Sequence, residues 1–145
     1  VHTLIGLAPS NHGTTLNGLT TLAEQFPFAE GLANLLEYLG APSLPQQEQG
    51  SAFMTHLFSG GDTVSGPRYV VIETTQDRVV TPYTNAFLNG ANVTSITVQS
   101  QCPSDPVGHV GMFEDSPALQ DVLNQLSASP SATFAPSCVK FGARF

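Results

Sequence analysis

The chain opens on a short apolar run, Thr3 to Ala8, that stops at Pro9-Ser10-Asn11-His12-Gly13. A continuous apolar stretch closed by turn formers predicts a buried strand that delivers a polar turn. Leu16, Leu19, Leu22 and Ala23 then fall at helical spacing. Ala29, Leu32, Ala33, Leu36 and Leu39 do so more strongly, with Gly40 and Pro42 as stop signals and Phe26-Pro27-Phe28 as an apolar corner between the two helices. Residues 41 to 67 are rich in Gln, Ser, Gly and Pro around a shorter helix predicted at Ser51 to Leu57. This excursion carries Phe53, Met54, Leu57 and Phe58, which suit either a substrate-facing cover or an ordinary helix packed on the domain. Two strands follow, Arg68 to Thr74 and Val93 to Val98, separated by Pro82 to Leu88, which has room for one or two helical turns. Ser116 and Pro117 read as cap and first position of a last helix, with Leu119, Val122, Leu123 and Leu126 on one face.

Strands alternating with helices predict an α/β architecture with a parallel sheet. A buried strand at residue 3 needs neighbours, and a charged amine beside it is awkward. Both predict the end of a larger sheet, with the preceding residues on another chain or cut away after folding.

Composition narrows the function classes. Four Lys and Arg against eleven Asp and Glu give a formal charge of −7, which repels phosphate backbones and argues against a nucleic-acid partner. No apolar run approaches the roughly twenty residues needed to span a bilayer, so no transmembrane segment is expected. The two cysteines, Cys102 and Cys138, stand in Pro- and Ser-rich surroundings. A disulfide is the economical reading; two free thiols or a shared metal are the alternatives, and the absence of CxxC or HExxH spacing counts against the metal. Closing that loop contributes about 4 kcal/mol on a chain-entropy estimate and fastens the C-terminal tail to the segment leading into His109. Scarce lysine and abundant Ser, Thr, Asn and Gly agree with an extracellular location.

The candidate chemistry lies at two points. Asp77 follows the apolar strand Tyr69-Val70-Val71-Ile72-Glu73, where open α/β sheets place functional groups. His109 follows 32 residues later, between Gly108 and Gly111, glycines expected to allow tight turns. An acid and then a histidine is the second half of the order Ser, Asp, His of a hydrolase triad. Asp62, in Gly61-Asp62-Thr63, is the rival acid, placed at the other end of the strand. His2 belongs to the entry strand, His12 to a polar turn and His56 to the excursion. Ser10, Ser51 and Ser116 are the obvious internal nucleophiles, yet none lies in a Gly-x-Ser-x-Gly elbow.

Three segments, Leu7-Ala8-Pro9-Ser10-Asn11-His12-Gly13-Thr14-Thr15, Tyr69 to Tyr83 with its Asp77-Arg78-Val79-Val80-Thr81-Pro82, and Gly108-His109, together resemble the secreted actinobacterial-type triacylglycerol lipases of the α/β-hydrolase class. The resemblance covers essentially the whole chain. It implies that residues 1–145 are the C-terminal half of a single α/β-hydrolase domain, with residue 1 shortly after the helix that follows the nucleophile. Asp77 is then the triad acid and His109 the base, while Asn11, His12 and Gly13 border the site without entering the triad. The family's common Cys-Pro-Ala-Cys stretch is replaced here by Ala41-Pro42-Ser43-Leu44-Pro45. The implied activity is hydrolysis of acyl esters of lipids or small alcohols, with no metal or organic cofactor. The implied partner is the N-terminal half of the same enzyme, carrying the nucleophilic serine. The competing reading is a non-catalytic α/β binding or structural domain.

Overall fold

A computed structural model describes residues 1–15, 43–127 and 133–145. Its centre is a parallel sheet of three strands, β1 (Thr3–Leu7), β2 (Arg68–Glu73) and β3 (Val93–Thr97), in the order β1-β2-β3. The register pairs Leu7 with Ile72 and Glu73 with Thr97, so β2 and β3 reach the same end of the sheet together. The three strands lie where the apolar runs predict them. The two helices expected between Leu16 and Leu39 fall outside the described residues, as do Phe26, Phe28 and Leu32.

β2 reads as an unbroken apolar run because it is the middle strand, covered on both faces. Side chains alternate across a strand. Val70 and Ile72 accordingly join Ala8, Val98, Val107, Met112 and Ala118 in one core cluster, while Val71 packs with Val80 and Ala86 on the other face. The excursion holds two short helices, α1 (Ser43–Gln46) and α2 (Ala52–Leu57). Ser51 caps α2, its hydroxyl accepting the Met54 N–H at 3.1 Å. Tyr83–Ala86 forms a 3-10 turn in the connection from β2 to β3. A single turn of helix, α3 (Val98–Gln101), follows β3 directly.

The last helix, α4 (Ser116–Leu126), differs from the sequence expectation in two respects. Its cap is Asp115, whose carboxylate accepts the Ala118 N–H at 2.9 Å, and Ser116 is the first helical residue. Aspartate is as good a cap as serine and adds negative charge at the positive end of the helix. The apolar stripe is also only partly used. Val122 packs on the core, but Leu119, Leu123 and Leu126 are exposed, and the deeply buried positions are Pro117, Ala118 and Asp121.

The tail closes over the loop between α3 and α4. Cys102 and Cys138 form a disulfide with Cα atoms 5.5 Å apart. Cys102 is fully buried, not in the polar setting its neighbours suggested, whereas Cys138 is exposed. Beyond it the tail backbone runs along the loop: Gly108 N–H donates to Ala143 O at 2.8 Å and Gly111 N–H to Phe145 O at 3.0 Å.

Candidate active site

The turn after β2 builds the first half of the site. Asp77 folds its carboxylate back on its own loop, so that Oδ1 accepts the N–H groups of Val79 at 2.7 Å and Val80 at 2.8 Å. Aspartate favours this local arrangement because its short side chain reaches backbone donors two and three residues on. The turn after β1 braces the same loop. The buried Thr14 hydroxyl donates to Val79 O and accepts the Thr81 N–H at 2.9 Å, and the hydroxyls of Thr15 and Thr81 pair.

The second half comes from the loop that precedes α4. Thr74, just past β2, donates its hydroxyl to Val107 O at 2.7 Å. Gln99 of α3 spans the gap, giving its amide to Thr74 Oγ1 at 2.8 Å and to Asp105 O at 3.1 Å. These bonds fix the loop against the end of β2, and they bring His109 Nδ1 to 2.8 Å from Asp77 Oδ2. The Asp77 carboxylate is fully buried, whereas the imidazole keeps about a fifth of its surface open (22%). A carboxylate can only accept, so Nδ1 donates and Nε2 keeps its lone pair.

The glycines beside His109 do not act as expected. Neither Gly108 nor Gly111 has a positive φ. A Cβ on Gly108 would come within 2.6 Å of the Arg144 backbone, so glycine is required for close approach of the tail rather than for a tight turn.

Asp62, the rival acid, is engaged elsewhere. Its Oδ2 lies 3.1 Å from His12 Nε2 and accepts the Asn89 N–H at 2.6 Å. This second imidazole–carboxylate pair was not foreseen from the sequence, because the two residues are 50 positions apart in unpatterned segments. His12 also meets the Phe58 ring with centroids 4.7 Å apart. Around it opens a cavity of about 500 Å³ lined by His12, Met54, Thr55, Phe58, Asn85 and Asn89. Of the apolar excursion residues, Met54 and Phe58 face this cavity, while Phe53 and Leu57 are exposed. Gly13 adopts φ +75° in the same turn, and Asn11 donates to Ala86 O at 2.6 Å. Ser51 is committed to its cap and to Gln46 O, and Ser10 to Gln47.

Sequence reasoning passed over Glu73. It ends β2 fully buried, with Oε1 accepting the Thr74 N–H at 2.7 Å and Oε2 without a partner. Burial, and after it the charge of Asp77, pushes this carboxyl up to about 9. The sequence held one hint: Glu73 is the one carboxylate inside the strand expected over Arg68 to Thr74.

No protein-family model matches the chain, and no curated protein matches it either. Among solved structures the fold is similar to that of lipase B from Aspergillus fumigatus, with a TM-score of 0.53 and 25% sequence identity over 75% of this chain. The match covers 26% of that protein, so the matched part of the chain spans about a quarter of its length. The chain therefore has a partial α/β fold of the lipase-like, α/β-hydrolase kind, and this similar solved structure is a fungal lipase, not an actinobacterial one.

Proposed function

We propose that this chain supplies the acid, Asp77, and the base, His109, of a serine lipase or carboxylesterase of the secreted actinobacterial type. One observation carries the reading: a buried carboxylate fixed by two backbone donors holds Nδ1 of a partly open imidazole at 2.8 Å. That arrangement sets the tautomer and stabilises the imidazolium that forms when Nε2 takes a proton.

The chemistry follows from the open Nε2. It removes the proton from a serine hydroxyl as the oxygen attacks the ester carbonyl, and the tetrahedral oxyanion is held by backbone N–H groups. The imidazolium then protonates the departing alcohol. Water, deprotonated by the same nitrogen, releases the acid. No Gly-x-Ser-x-Gly elbow occurs in the sequence, so the nucleophile and the oxyanion donors belong to a polypeptide segment outside these residues. Its binding to this chain is part of the proposal. The apolar Met54 and Phe58 beside His12 suit an acyl or alcohol group of a lipid or small ester better than a charged substrate. The disulfide fits an oxidising, extracellular compartment.

Hydrolysis of p-nitrophenyl butyrate by the complete enzyme tests the reading. His109→Ala should abolish turnover, and His12→Ala should chiefly change KM. Equal and total loss in both variants refutes the assignment of the base to His109. Undiminished turnover in His109→Ala moves the non-catalytic binding domain to the front.

A further inference from the structure

Glu73 has no part in the acyl transfer just described, yet it stands directly behind it. It ends β2 fully buried, and the buried Asp77 carboxylate follows four residues on in the turn that leaves the strand, close enough for its charge to act on Glu73. Oε1 is satisfied by the Thr74 N–H, and Oε2, deeply buried, meets no donor. Two ionised carboxylates side by side would repel, and neither could donate to the other.

Among the described residues no cation is paired with Glu73. The flanking strands Thr3–Leu7 and Val93–Thr97 carry no titratable side chain. On the Val71 face the 3-10 turn brings Tyr83, whose ring is turned edge-on to Phe87. On the opposite face α4 brings Asp121, which is held by Gln101, and the preceding loop brings Asp105, whose Oδ1 accepts the Val107 N–H. His109 is occupied with Oδ2 of Asp77. A proton on Glu73 removes the repulsion and turns the orphaned oxygen into a donor.

Resting on the acid–base reading above, we propose that Glu73 is a protonated positioning residue that donates a hydrogen bond to Asp77 and so fixes the carboxylate that orients His109. Asp77 then receives its ligands in a complete set: two backbone N–H groups, one imidazole N–H and one carboxylic O–H. Glu73 keeps its proton throughout turnover and touches no substrate. The upward push on its acidity, from burial first and Asp77 second, agrees with that state.

The test uses the complete enzyme, p-nitrophenyl butyrate and a pH series from 6 to 10. Wild-type kcat should fall through an inflection near pH 9, where Glu73 ionises beside Asp77. Glu73→Gln can accept from Thr74 and donate to Asp77 without ionising. It should keep kcat at pH 7.5 within about threefold and lose the inflection, whereas Glu73→Leu should lose about tenfold or more in kcat with little change in KM. An inflection that persists in Glu73→Gln, or full kcat in Glu73→Leu, overturns the proposal. A carboxylic C=O infrared band at pH 7.5, present in the wild type and missing in Glu73→Gln, reports the proton without any need for activity. Its absence from the wild-type minus Glu73→Gln difference spectrum also overturns the proposal. A complete enzyme with no esterase activity defeats the acid–base reading, while the infrared band still decides the proton on Glu73.

Discussion

Asp77 divides its two oxygens between its own loop and His109. Oδ1 is consumed by the N–H groups of Val79 and Val80, which leaves Oδ2 for His109. Asp77→Asn should therefore fold, because an amide oxygen can still accept from the loop. Its NH₂ would then face the imidazole and favour the wrong tautomer, lowering kcat by roughly 10⁴, as in other triads. Thermal melts together with kcat on a soluble ester check both halves; near-normal turnover removes Asp77 from the role of acid. Glu73 makes a different claim, on stability. Its carboxyl rises from an ordinary 4.5 to about 9 in the folded chain. Between those values the unfolded chain has lost a proton that the folded chain keeps, so stability contributed below the lower value drains away as pH rises toward the upper one. Calorimetry should find Glu73→Gln more stable than wild type at pH 8.5, by a margin that shrinks toward pH 5. Asp77 and His109 were legible in the sequence because each sits at a place the chain order marks. The Asp62–His12 pair and the orphaned oxygen of Glu73 were not, since they depend on how loops meet.

The elements show why strands were easier to read than their connections. The middle of β2, Val70-Val71-Ile72, is apolar because both of its faces are covered. The start of α4 was misplaced by one residue because Asp115 and Ser116 are both competent caps, and tertiary bonds decided between them. Asp115 serves α4 through Ala118 N–H and the tail through Gly142 N–H, both at 2.9 Å. Its neighbours Asp105 and Asp121 are held above the usual carboxylate range, in each case chiefly by burial and further by the charge of Asp115. Asp115→Ala removes the cap and the tie together, at a cost of about 1–3 kcal/mol in urea unfolding. The disulfide remains to hold the tail, so the variant should fold. A loss near zero would show that the tail lies on the loop without help from Asp115. The roles of Gly108 and Gly111 were read as turn geometry, but only the course of the tail, which local sequence does not encode, shows that close approach decides them.

Across the whole molecule, the described residues bring together an imidazole–carboxylate pair and leave apolar surface without a cover. Leu119, Leu123 and Leu126 are exposed along α4, and Leu4 is half exposed on β1, at the edge of the three-stranded sheet. An apolar edge and face of this kind invite pairing with further chain. The Aspergillus fumigatus lipase with a similar fold extends well beyond the match, which takes in 75% of this chain and 26% of that protein. The proposed activity requires a serine elsewhere that His109 activates. Active-site labelling of the complete enzyme with a fluorophosphonate, followed by peptide mass spectrometry, tests this most directly. The label should fall on a serine of a Gly-x-Ser-x-Gly elbow outside these 145 residues, and His109→Ala should slow labelling by orders of magnitude. A label on a serine within this chain, or labelling at the wild-type rate in His109→Ala, contradicts the account.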